Sequence, residues 1–341
     1  MPRTTLSSPS RPTGHRRLYQ VLAAFVILAA LAGYLAVQYL SGSKDLLTGC
    51  EVRSGDGKGD GEGSTYELGV DQAANAATIA AVGAAHGMPE RAVAIALATA
   101  IQESRLRNID YGDRDSLGLF QQRPSQGWGT SAQIQDPVYA SGKFYEHLAK
   151  ISHYEDLPLT EAAQRVQRSG FPEAYAQHEP DAILLASALT GQIPASLNCA
   201  TPVTATASAP GDPDRLRTEL VRDFGKGVLP AGGAAGSATR TVAVPVRATG
   251  GGTTDGDAKG GAGTAGAGAT TAAQRGWSLA HWAVARSAEL GIDEIAYAGK
   301  VWTAGAGWRT DRSEDGKSAK STESVESAES DTPEVRMRLA Q

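Results

Sequence analysis

Residues 18–40 form an apolar run without a formal charge, with Tyr19, Gln20, Tyr34 and Gln38 as polar interruptions near its ends. A helix over it would cross a hydrocarbon core of roughly 30 Å. The apolar part is longer than a cleaved leader carries, and no clear small-residue cleavage site follows it. Arg3, Arg11, Arg16 and Arg17 precede it. That order predicts a cytoplasmic tail at 1–17, a single-pass anchor at 18–40, and everything after Ser41 outside the cell membrane.

From residue 50 the apolar pattern becomes periodic. Val93, Ala96, Leu97, Ala100 and Ile101 recur at helical spacing behind Pro89, and the opposite face is mostly alanine. This predicts a central, buried helix that ends near Glu103. Asp71 and Thr160 read as caps of helices running to Ala85 and Gln167. Asp136-Pro137 opens a helix bearing Tyr139, Phe144, Tyr145, Leu148 and Ile151, and Pro172 and Pro180 open two more. Segments 51–53 and 64–68 flank a Gly/Asp-rich turn and predict a short hairpin. The region 50–199 is thus expected to be a helical domain, and the fold class mainly α.

Beyond Cys199 the chain turns rich in Ala, Thr, Gly and Pro, the composition of a linker at 200–212. A small α/β domain is expected over 213–309. Its parts are an amphipathic helix at 214–224, a strand at 240–246, a helix at 276–291 closed by glycine, and a hairpin at 294–302. Residues 249–274, nearly all Gly, Ala and Thr, read as a disordered insertion, and the Ser/Glu/Lys-rich 310–341 as a disordered tail. Trp277, Trp282, Trp302 and Trp308 are candidates either for a small core or for stacking on sugars.

Charge and cysteine content narrow the classes. The 341 residues carry a formal net charge of −5, so no broad basic surface recommends a nucleic-acid partner. Cys50 and Cys199 are the only cysteines. On the extracytoplasmic side a disulfide is expected over two unpaired thiols, and two cysteines so far apart make no metal site.

Candidate chemistry centres on Glu103. A carboxyl group leaving an apolar helix meets low-dielectric surroundings, which raise its pKa and suit a general acid. Alone, such a residue is as well read as a solvated helix end. Glu103-Ser104 is followed, across a loop, by Gly118-Leu119-Phe120-Gln121 and Pro124. The two segments in register resemble the soluble lytic transglycosylase branch of the lysozyme-like superfamily, with Phe120 where that family has methionine. The resemblance implies a lysozyme-like fold and cleavage of the β-1,4 bond between N-acetylmuramic acid and N-acetylglucosamine in peptidoglycan. It implies Glu103 as the acid and base, Gln121 as a substrate contact, and Gly118 as a point where backbone approaches the sugar. Ser104 would orient the carboxyl or simply end the helix. The segment 276–302 resembles a small module found behind cell-wall hydrolase domains of actinobacterial secreted proteins, which implies cell-wall protein partners.

The chain departs from the family pattern in two places. The segment 109–116 replaces a Ser-x-x-Gly-Ala run, and the downstream Ala-Tyr-Asn-Ala-Gly motif is not recognisable. Gln167 stands near the position of its asparagine, and Tyr175 supplies a phenol by another route. Asp110, Asp113 and Asp115 are candidates for a second carboxylate, which would make the protein a hydrolase; they equally suit a loop paired with Arg105, Arg107 and Arg114. Asp113 and Asp115 lack the glycine position and closing glutamate of a calcium loop, so no metal or cofactor is expected. Two functions stay open: a membrane-anchored transglycosylase or muramidase, and an inactive protein that holds glycan strands as a scaffold.

Overall fold

Alanine sets how closely the first two helices pack. α1 (Val70–Ala85) buries Ala73, Ala76, Ala77, Ala80 and Ala81, and α2 (Glu90–Ser104) is buried without interruption from Ala92 to Ile101. A helix apolar on nearly every face belongs inside a core. The computed structural model describes residues 49–55, 63–169, 172–200, 210–230, 240–247, 270–311 and 333–341. In chain order α3 (Ser131–Ile134), α4 (Pro137–Leu148), α5 (Leu159–Gln167) and α6 (Glu179–Leu189) follow, with a 3-10 segment at Pro172–His178. α2 runs through their middle, against α6, α5, α4 and the 3-10 segment.

The end of α2 is held in a costly conformation. Arg105 and Leu106 both take left-handed backbone angles, φ 54° and 59°, which non-glycine residues adopt at about 1–3 kcal/mol each. Their carbonyls accept hydrogen bonds from α1: Gln72 Nε2 donates to Arg105 O at 2.7 Å and Asn75 Nδ2 to Leu106 O at 2.8 Å. Leu106 is fully buried. α1 thereby fixes where α2 stops, one residue after Glu103.

Two antiparallel sheets complete the chain. β1 (Gly49–Arg53) lies between β2 (Thr65–Leu68) and β3 (Leu197–Ala200), with Cys50 opposite Cys199. The two cysteines form a disulfide across a sequence separation of 149. The second sheet holds β4 (Thr241–Pro245), β5 (Ile292–Tyr297), β6 (Lys300–Thr303), β7 (Gly307–Thr310) and β8 (Glu334–Leu339), in the order β4-β8-β5-β6-β7. α8 (Ala272–Ala285) packs on β5 and β8 and also contacts α1, α6 and β3. Gly276 makes this possible, since a Cβ there would meet the Tyr297 ring at 1.9 Å. α7 (Pro213–Phe224) packs on α1, and the short α9 (Ser287–Leu290) follows α8. The described residues therefore form one compact unit with a single contiguous core.

Two expectations are corrected here. The described residues are about 49% helical and 18% strand, with nine helices and two sheets, rather than mainly α with a membrane helix. The excess strand comes from short pieces in compositions that mask them. β8 alternates buried Val335, Met337 and Leu339 with outward Arg336 and Arg338, inside what reads as a charged tail. β3 is only four residues long and follows α6 after a short turn. The second correction is the single-pass placement in the cell membrane. Residues 1–17 and 18–40 lie outside the described residues, and among those described no helix is long and apolar enough to cross a membrane. The two longest helices, α1 and α2, have 16 and 15 residues, at most about 24 Å of rise, and their apolar faces are used up in the core. The N-terminal helix as a membrane partner is withdrawn with it.

Candidate active site

Glu103 sits on the last turn of α2 in the wall of a cleft of about 950 Å³. Tyr175, from the 3-10 segment, donates its hydroxyl to Glu103 Oε1 at 2.6 Å. Gln167, the last residue of α5, donates its amide to Phe120 O at 2.7 Å and also favours the Glu103 carboxylate. Burial pushes the Glu103 pKa above the ordinary glutamate value, and the Tyr175 and Gln167 hydrogen bonds only partly offset this. Among the described residues no lysine, arginine or histidine pairs with Glu103, so only neutral donors address it. The Tyr175 ring is fully buried, and burial with the adjacent carboxyl pushes its phenol far up. It stays a donor. The site thus holds a carboxyl group biased toward its neutral form and open to a cleft, as a general acid requires.

The loop after α2 is locked by its own chemistry. Gly118 has φ +75°, and a Cβ there would meet Ile134 O at 2.7 Å. The glycine is therefore demanded by packing against α3, not by approach to a ligand. Ser104 is buried and donates to Leu119 O at 2.8 Å and Ala100 O at 3.1 Å, so it ties helix to loop and does not touch the Glu103 carboxyl. Gln121, at φ 47°, donates Nε2 to Tyr111 O and Gly118 O, each at 3.2 Å, and lines the same cleft as Glu103.

The three aspartates separate. Asp115 accepts from Arg123 Nε at 2.7 Å and from the Ser125 amide at 2.8 Å, which hold its carboxyl far below the usual range. It is a loop anchor. Asp110 is exposed and lines no part of the cleft. Asp113 lines the cleft but is exposed, with Arg114 Nε 3.9 Å away. Among the described residues no group of three or more His, Cys, Asp or Glu is placed to hold a metal ion.

Trp128 is a cleft residue that sequence reasoning misses. It lines the cleft, half-buried, with its ring stacked on His147 at 4.2 Å between centroids. Gly127 and Gly129 flank it, and a Cβ at Gly129 would strike the Tyr139 ring; an aromatic held between two constrained glycines is the signal that could have found it. The C-terminal tryptophans are core. Trp277, Trp282 and Trp302 are buried. Trp302 donates to Asn198 Oδ1 and Trp308 to Leu197 O, each at 2.9 Å. No protein-family model matches the chain, and a search of curated proteins returns no match. The functional reading therefore rests on this geometry and on the motif likeness.

Proposed function

We propose that the protein cleaves peptidoglycan glycan strands as a lytic transglycosylase, with Glu103 as acid and base. The observation that carries the reading is the Glu103 carboxyl itself: raised in pKa by burial, addressed among the described residues only by neutral donors, and facing a cleft of about 950 Å³. In the neutral form it gives its proton to the glycosidic oxygen as the bond to the anomeric carbon breaks. The carboxylate then takes the proton of the muramoyl 6-hydroxyl, whose oxygen closes a 1,6-anhydro ring on that carbon. Tyr175 steadies the carboxylate between the two steps, and its high pKa keeps it from competing for the proton. Trp128 offers a ring face to a sugar.

The test is mass spectrometry of peptidoglycan digested by the full chain, beside Glu103→Gln. Anhydro-muramoyl ends, absent with the variant, support the reading. Reducing ends point to a hydrolase with Asp113, the candidate aspartate that shares the cleft, as second carboxylate. No release by either protein, with glycan retained by both, overturns the enzyme and leaves a scaffold.

A further inference from the structure

The cleft that holds Glu103 has a charge unlike that of the whole chain. The chain is formally −5, yet Arg114, Arg123, Lys150, Arg165 and Arg168 line the cleft against two carboxylates, Glu103 and Asp113. Three of these cations are engaged: Arg123 with Asp115 at 2.7 Å, Arg165 with Glu161, and Arg114 loosely with Asp113. Lys150 and Arg168 differ. Both are exposed, and among the described residues no carboxylate oxygen lies within 4.0 Å of either. They sit past the carboxyl ends of α4 and α5, near His147 beneath Trp128, whose pKa burial lowers first and the charges of Lys150, Lys143 and Arg168 lower further. Two cations with no carboxylate in contact line the same cleft as Trp128 and Glu103 and define a place for negative charge in it.

We infer that the cleft selects glycan strands bearing acidic substituents close to the bond that is cut, and that Lys150 and Arg168 recognise those substituents. A neutral polysaccharide gives such a pair nothing to bind. The carboxylates of a peptide branch on the lactyl group and the phosphates of an attached polymer share the needed chemistry, and either accepts a charge-assisted hydrogen bond from ammonium or guanidinium. The inference rests on the transglycosylase reading for the identity of the strand but not for its test, which reads binding.

The experiment measures binding of the full chain carrying Glu103→Gln, which cannot turn over, to immobilised strands. Four preparations are compared: intact strands, strands stripped of peptide by an amidase with the freed lactyl carboxyl then capped as an amide, strands with branch carboxyls blocked as amides, and strands freed of phosphate polymer by hydrogen fluoride. Intact strands should bind about tenfold more tightly than the preparation that lacks the recognised anion. The added variant Lys150→Gln/Arg168→Gln should bind all four alike. Loss on stripping or amidation identifies branch carboxylates, and loss after hydrogen fluoride identifies phosphate. Equal binding to all four by the Glu103→Gln chain, or discrimination kept by the triple variant with its Tm unchanged, overturns the inference alone. Absence of binding to every preparation overturns it together with the proposed function.

Discussion

Glu103 and Asp223 are both carboxylic acids that burial pushes toward the neutral form, and they serve opposite ends. Asp223, on α7, is only 1% exposed. Its Oδ2 accepts from Arg286 Nη1 at 2.9 Å, Trp282 Nε1 at 2.8 Å and Thr78 Oγ1 at 2.9 Å, which joins α7, α8 and α1 at one atom. Glu103 has a phenol, an amide and an open side. A guanidinium in contact with a carboxylate opposes proton uptake, whereas neutral donors and a low dielectric leave the proton within reach of a substrate. The kind of neighbour, more than the degree of burial, separates a structural acid from a reactive one.

The sharpest test of this contrast exchanges the roles. Glu103→Gln should lower the release of glycan fragments by about 10²–10⁴-fold while leaving thermal unfolding cooperative. Asp223→Ala should lower stability by about 3–5 kcal/mol, because the Trp282 indole, the Thr78 hydroxyl and Arg286 Nη1 lose their shared buried acceptor, although Glu219 and Glu289 still hold the rest of the guanidinium. Denaturant titration reads this directly, and the contrast fails if Asp223→Ala melts like the native chain. Reduction of the Cys50–Cys199 bridge is a calibration of similar size, about 4–5 kcal/mol on a loop-entropy argument.

Smaller effects sharpen the picture of Glu103. Its alkaline activity limb should lie above the ordinary carboxylate range, since activity needs the proton and is lost as pH rises through the raised pKa. Tyr175→Phe removes a donor that favours the ionised form, so the limb should move further up as the rate falls about tenfold. A limb that stays in place would show that Tyr175 is not the group that tunes Glu103. The least effect concerns stability. A folded-state pKa above the unfolded one contributes stability below the unfolded value and loses it as pH rises through the folded value. Glu103→Gln should therefore match the native Tm in acid and exceed it at neutral pH.

How far the site is legible in the sequence depends on the distances that connect it. Glu103 stands out because one charge ends an alanine-rich helix, and the glycine-led loop follows within the same local unit. Tyr175 lies 72 residues away from Glu103 along the chain, and no periodicity points from one to the other. Ser104 and Gly118 look like ligand contacts only until the Leu119 carbonyl and α3 are seen beside them. Asp223 reads as an outward acid on an amphipathic helix, because its partners come from α1 and α8. The same long-range pairing hides the shared core. α8 reads as the helix of a separate small domain, although its second face is buried against α1, α6 and β3.

β8 occupies an interior position of its sheet although it is synthesised after every other strand. Roughly ninety residues separate it from β4, its antiparallel neighbour, so a chain growing at about 5–20 residues per second exposes an unpaired β4 edge for several seconds. Until β8 arrives, β4 and β5 have no partner between them, and the face of α8 that β8 covers stays wet. Completion of the five-stranded sheet, and with it the cover of that face of α8, therefore waits on β8.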